Sequence, residues 1–280
     1  MTPADQLNPP AALGVEIAVA LCGLWLFWKF VLSPRAPKPE IRLPEWGLPP
    51  IDFACYAFFA IVGFLALSAA AGLVLRHVRL GEDATKVLGG AVQDIGLLLG
   101  IFGFHQFYCR VGRSSAARAP IGPAIKSGAV TFFIAMLLVD VSIILWSFAL
   151  SSLGLPMENQ EFVDIAQNTN STWLKGSLMA IAVILAPVAE EIVFRGGLFR
   201  YFRTRIPRWW AIGLTSFLFG SLHVSWDSSL VGLPSFAPMV VLAVIFCLAY
   251  ERTGSLGTVV VAHALFNSYT FVLVAAGLRS

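Results

Sequence analysis

Eight stretches of this chain, at about residues 12–33, 51–75, 87–108, 127–153, 174–195, 209–224, 235–250 and 256–278, are apolar along most of their length. No other feature constrains the fold as strongly. The hydrocarbon core of a bilayer takes about 20 helical residues to cross. Within it every backbone N–H and C=O must be bonded inside the protein, which leaves only helices and closed barrels. These runs are continuous rather than alternating, so they read as helices. Composition agrees: 58% of residues are hydrophobic and 12% charged, against a charged share of about 25% in soluble domains. The predicted fold is all-α, a polytopic integral membrane bundle of about eight transmembrane helices.

Where the charges fall sets an expected topology. Basic residues crowd the connections 34–50 (Arg35, Lys38, Arg42), 109–126 (Arg110, Arg113, Arg118, Lys126) and the turn holding Arg200, Arg203, Arg205 and Arg208. The connection 154–173 has none and is acidic. The positive-inside rule then puts the first, third, fifth and seventh connections in the cytoplasm. The connection 76–86, with Arg76, Arg79 and Lys86, fits this pattern poorly. Because position matters more than sum here, the net charge of +3 is no signal for nucleic acid. Residues 1–10 lack the basic n-region of a signal peptide, so the first span reads as a retained helix. Cys22, Cys55, Cys109 and Cys247 have no CxxC spacing and read as small buried hydrophobes rather than disulfides or zinc thiolates. Three parts are expected: an N-terminal helix with a Pro-rich linker (1–50), a second group of helices (51–153), and a core at 172–270 that forms one integral unit with them.

The chemistry concentrates in that core. Glu190, Glu191 and Arg195 follow the apolar run Leu178–Leu185, and an ionisable group at membrane depth is a functional-site hypothesis by default. Glu191 and Arg195 are four apart and share a helix face, which predicts an ion pair. Glu190 points about 100° away and is left for the bundle interior. Pro187 cannot donate to the carbonyl of Val183, which predicts a kink or local opening beside Glu190. Two further clusters lie in later spans: Phe219 with His223, and His263 with Asn267, each four residues apart. A carboxylate with imidazoles can activate water by general-base catalysis. The same types can bind a divalent metal such as zinc, with Glu190, His223 and His263 as ligands. An imidazole and an amide on one face can stabilise an oxyanion. There is no GxSxG and no HExxH, so water rather than a covalent nucleophile is favoured.

Glu190-Glu191-Ile192-Val193-Phe194-Arg195-Gly196, then Phe219 with His223, then His263 with Asn267 resemble the ordered motifs of the CPBP family (CAAX proteases and bacteriocin-processing enzymes, also called Abi), which includes the type II CAAX prenyl endopeptidases. By that resemblance Glu190 is the general base, His223 its catalytic partner, and His263 and Asn267 the oxyanion-stabilising groups. Glu191 and Arg195 are a supporting pair, with Phe194 and Phe219 beside them. The resemblance admits both a metalloprotease and a metal-independent glutamate mechanism. It implies a multi-pass protein, expected in a bacterial inner membrane, whose partners are the bilayer and a membrane-associated protein or peptide substrate.

Two other classes stay open. Asp94 and Asp140 fall in apolar spans and, with Glu190, suit the relay of a proton-coupled transporter, although no inverted repeat is visible. A non-catalytic scaffold or immunity protein of the same fold is the other. One tension accompanies the leading reading. If the fifth span ends near Arg195, Glu190 is only about 8 Å from the edge, whereas His223 is about 20 Å along the sixth span.

Overall fold

The computed structural model describes residues 9–33, 43, 46–78, 80–108, 121–158, 161–226 and 230–275. All regular structure among them is helical: α1 (Pro9–Phe27), α2 (Pro50–Leu75), α3 (Glu82–Tyr108), α4 (Ile121–Ser152) and α5 (Glu161–Asn168). Then come α6 (Thr172–Arg203), one helix with two internal π-helical segments, and α7 (Arg208–Ser221), α8 (Leu233–Thr253) and α9 (Leu256–Ala275). Six helices (α2, α3, α4, α6, α8 and α9) are long and apolar enough to cross a membrane. The chain is a multi-pass helical bundle. Of the eight predicted spans, the sixth forms a helix of only 14 residues, about 21 Å long and short of a full hydrocarbon core. Most of the Pro-rich linker, and Cys109, lie outside the described residues. Cys22, Cys55 and Cys247 are free thiols.

The ends of the bundle sort as the charges predict. At one end Arg203 and Arg208 both pair with the buried Glu251 of α8, at 2.6 and 2.7 Å. There too Arg205 donates to the carbonyls of Trp46 and Leu48, just before α2. At the other end the Gly232 N–H donates to the Glu158 carbonyl (3.1 Å), and Phe162 of α5 lies against Gly90 of α3. Gly254, at φ 64°, closes α8 in the left-handed conformation and turns the chain directly into α9.

The main core lies between α4, α7, α8 and α9, where Met136, Ile212, Leu242, Phe246 and Val259 are buried. A second, closer seam joins α2 to α3. A Cβ at Gly63, Gly96 or Gly100 would collide with the backbone of the facing helix. Small residues of this kind let two membrane helices approach in the absence of a hydrophobic drive between them. The α2–α3 pair leans on α6 through α3, and this contact brings the N-terminal helices up to the polar cluster.

Candidate active site

α6 carries the two glutamates on a six-residue α segment, Ala186–Glu191, between π segments at Ile181–Leu185 and Ile192–Phe199. Pro187 accounts for the first interruption. The Ala186 N–H bonds back to the Ile181 carbonyl, so the carbonyl of Ala182 loses that donor, and its next neighbour, Pro187, has no N–H to give. The side chain of Asn267 fills the deficit, donating from Nδ2 to the Ala182 carbonyl at 2.7 Å. The predicted local opening is therefore a π turn, and Asn267 fastens it.

Glu191 and Arg195 are fully buried and form the predicted pair, Nη1 to Oε1 at 2.9 Å. Arg195 also donates to the Ala243 carbonyl of α8 at 3.4 Å. Its guanidinium lies 4.7 Å from the ring centroid of Phe219 and 5.3 Å from that of Phe246. Cation–π contact thus replaces some of the water this charge has lost. With no exposed surface, both charges are satisfied inside the protein rather than by solvent. α6 runs on to Arg203, which resolves the mismatch in depth. Glu190 and His223 are each about 20 Å from the turn joining α6 to α7 at 1.5 Å per residue.

His263, 4% exposed, stands between the glutamates. Its Nδ1 is 2.9 Å from Glu191 Oε1, and its Nε2 is 3.9 Å from Glu190 Oε2. The ionised Glu191 carboxylate can only accept, so Nδ1 carries the proton. The carboxylates diverge on the helix and meet again on opposite nitrogens of one imidazole. Spacing alone gave Glu191 only Arg195 as a partner; its hold on His263 is a second task. A carboxylate gripping one ring nitrogen fixes the orientation and basicity of the other.

Glu190 is the least satisfied member. Its side chain is 25% exposed, and among the described residues its buried Oε2 has no hydrogen-bond partner. At 3.9 Å the contact with His263 is too long for a direct hydrogen bond. A carboxylate and an imidazole nitrogen therefore border one gap, where a water can be held on one side and deprotonated on the other.

His223 lies just past the end of α7. Its Nδ1–H donates to the Phe219 carbonyl at 2.8 Å, which leaves Nε2 as the basic nitrogen. Its ring packs 4.8 Å from Phe219, whose other neighbours include His263 at 6.2 Å and Phe194 at 5.0 Å, measured between centroids. Phe219 is thus the common wall between the two histidines and the arginine, and His223 joins the cluster through it. The ligand set Glu190, His223 and His263 does not assemble as one: among the described residues no three His, Cys, Asp or Glu groups are arranged to hold a metal ion.

Two contributors carried no sequence signal. Phe246, 5.5 Å from His263, is one aromatic in an apolar run. Tyr56 of α2 donates its hydroxyl to the Ile192 carbonyl (3.3 Å), on the far side of the glutamates.

Residues 172–269 match the family model of type II CAAX prenyl endopeptidases, described as Rce1-like. Over this segment, about a third of the chain, the protein is similar to CAAX-type proteases. The match runs from α6 through most of α9 and contains Glu190, Glu191, Arg195, Phe219, His223, His263 and Asn267; α1 to α5 lie outside it. No curated protein and no solved structure matches the chain.

Proposed function

We propose that the protein is an intramembrane endopeptidase that hydrolyses a peptide bond of a membrane-associated protein or peptide, using water activated by Glu190. The observation that carries this reading is the unpartnered, buried Oε2 of Glu190 facing His263 Nε2 across 3.9 Å. Glu191 and Arg195 hold each other at 2.9 Å, whereas Glu190 has no direct hydrogen bond among the described residues and is left for a substrate or a water. Two attributes of the family domain support it: its description names peptide-bond hydrolysis, and all the groups used lie within the match.

Glu190 accepts one proton as the water oxygen bonds to the scissile carbonyl carbon. The carbonyl π pair moves onto oxygen, giving a tetrahedral oxyanion. His263, once it carries a second proton, donates from Nε2 to that oxyanion, and the Glu191 carboxylate on Nδ1 stabilises the imidazolium. The proton on Glu190 passes to the leaving nitrogen as the C–N bond breaks, releasing a carboxylic acid and an amine. His223 lies on the other side of Phe219, where its Nε2 can bind the peptide or carry the proton outward. Asn267 keeps Glu190 in register by holding the π turn behind it.

The test is cleavage of a lipid-tethered peptide by the full chain in nanodiscs, followed by mass spectrometry. Wild type cleaves, whereas Glu190→Gln and His223→Ala lose turnover and keep wild-type thermal unfolding. Unchanged cleavage by either variant would sink the assignment. Ion flux into liposomes that depends on Asp94 or Asp140, without hydrolysis, would favour a transporter instead.

A further inference from the structure

The second π segment of α6 begins at Ile192, directly after the glutamates. A π turn interrupts the regular ladder of an α-helix, so the direction of the side chains beside it depends on what holds the turn open. The first π segment is held by Asn267, from within the family-matched segment. The second is held from outside that segment: Tyr56 of α2 donates its hydroxyl to the Ile192 carbonyl at 3.3 Å.

Both partners are shaped for this contact. Tyr56 is buried in a box of rings. Phe104 of α3 meets it edge-on with centroids 5.4 Å apart, Trp46 meets it edge-on at 5.9 Å, and Phe53 stacks on it at 5.9 Å. Pairs of this geometry fix the plane of a ring and hence the line along which its hydroxyl points. On the other side α6 presents Gly197, where any Cβ would collide with the ring and hydroxyl of Tyr56. Ile192 and Gly197 are five residues apart, one turn of a π-helix, so the carbonyl and the glycine belong to the same turn. Beyond this turn α2 stays fastened to α6: Phe53 stacks on Tyr201 with centroids 3.6 Å apart, and Arg205 donates to the carbonyls of Trp46 and Leu48. Of these ties, Tyr56 is the one that lies beside the glutamates.

We propose that Tyr56 is a positioning residue for the endopeptidase reaction: by holding the Ile192 carbonyl it fixes the register of the Ala186–Glu191 segment, and so the direction in which Glu190 faces His263 and the water. This rests on the endopeptidase reading and gives its site a residue from outside the family-matched segment. Tyr56 acts through the backbone of α6, and no bond to it forms or breaks in the reaction.

The experiment measures kcat, KM and thermal unfolding for the full chain in nanodiscs acting on a lipid-tethered peptide. Tyr56→Phe, Gly197→Ala, their double variant and Glu190→Gln are run in parallel. Tyr56→Phe keeps the ring in its box and deletes only the hydroxyl. It lowers kcat by about 10- to 100-fold with KM little changed, the scale of a small misplacement at a reacting centre. Gly197→Ala pushes the ring off the carbonyl while the hydroxyl stays, and lowers kcat in the same way. Because both changes break one joint, the double variant loses no more than the worse single variant. Wild-type kcat per folded molecule in Tyr56→Phe, whatever its stability, overturns the proposal. A loss carried by KM, or losses that multiply in the double variant, also overturns it. If Tyr56→Phe does not fold, Gly197→Ala decides by the same split between kcat and KM. Cleavage by Glu190→Gln would instead bring down the endopeptidase reading, so the two failures are distinguishable.

Discussion

The Arg195–Glu191–His263 network makes the sharpest energetic prediction. Arg195 and Glu191 are both fully buried, so neither charge can be hydrated when its partner is removed. Arg195→Met keeps the volume of the stem but deletes the ion pair at 2.9 Å, the bond to the Ala243 carbonyl and the contacts with Phe219 and Phe246. Breaking a buried pair from one side costs about 3–5 kcal/mol, mostly the uncompensated charge left behind. At about 2–4 °C per kcal/mol for a chain of this size class, the melting temperature should fall by roughly 6–20 °C. The double variant Glu191→Leu/Arg195→Met leaves no orphan charge and should be more stable than Arg195→Met alone. Non-additivity between the two sites of about 0.5–3 kcal/mol is the expected coupling for residues in contact. Both quantities come from thermal unfolding in a single detergent. The double variant should still be inactive, since His263 loses the carboxylate that orients it. A loss in Arg195→Met no larger than the ~0.5 kcal/mol of a surface substitution would mean that the pair is hydrated, and would refute the buried network.

Two further outcomes follow from the same geometry. Asn267→Ala leaves the Ala182 carbonyl without a donor, which should cost about 1–3 kcal/mol in thermal unfolding. A purely oxyanion-binding Asn267 would instead lose turnover with no change in stability. Treating the protein with a strong zinc chelator should leave its cleavage rate unchanged, because Glu190 and His263 lack a converging third ligand among the described residues; a rate abolished by chelation and restored by zinc would contradict that.

Much of this site was legible because hydrocarbon makes polar residues conspicuous. Glu190, Glu191 and Arg195 stand out in an apolar run, and i,i+4 spacing assigned Glu191 to Arg195 correctly. Spacing within one helix could not show that Glu191 also reaches across to His263 of α9, a contact 72 residues away in sequence. The end of the fifth span was misplaced for a similar reason. Arg195 reads as an interfacial charge until its cation is seen between Phe219 and Phe246, after which α6 extends to Arg203. The sixth span was legible as a helix but not as a short one, since apolar residues continue past Ser221 into a turn. Asp94 was visible as a charge in a span, yet nothing in α3 itself says that this helix packs on the α6 segment that carries Glu190.

What the chain does with its backbone explains why the site needs helices from both ends of the sequence. Inside a bilayer an interrupted helix is tolerated only if the freed backbone groups are satisfied within the protein. α6 is interrupted on both sides of Ala186–Glu191, as functional helices often are. The side chains that mend it come from opposite directions: Asn267 of α9 binds the Ala182 carbonyl, and Tyr56 of α2 binds the Ile192 carbonyl. The two glutamates therefore sit on a short rigid segment clamped at each end. The downstream clamp belongs to α2, a helix outside the family match that packs along α3, and α3 in turn packs on α6. Gly197 tightens the same joint, because any Cβ there would strike the Tyr56 ring and hydroxyl. The N-terminal helices are thus more than an anchor beside a self-sufficient core: they complete the backbone bonding that fixes where Glu190 points.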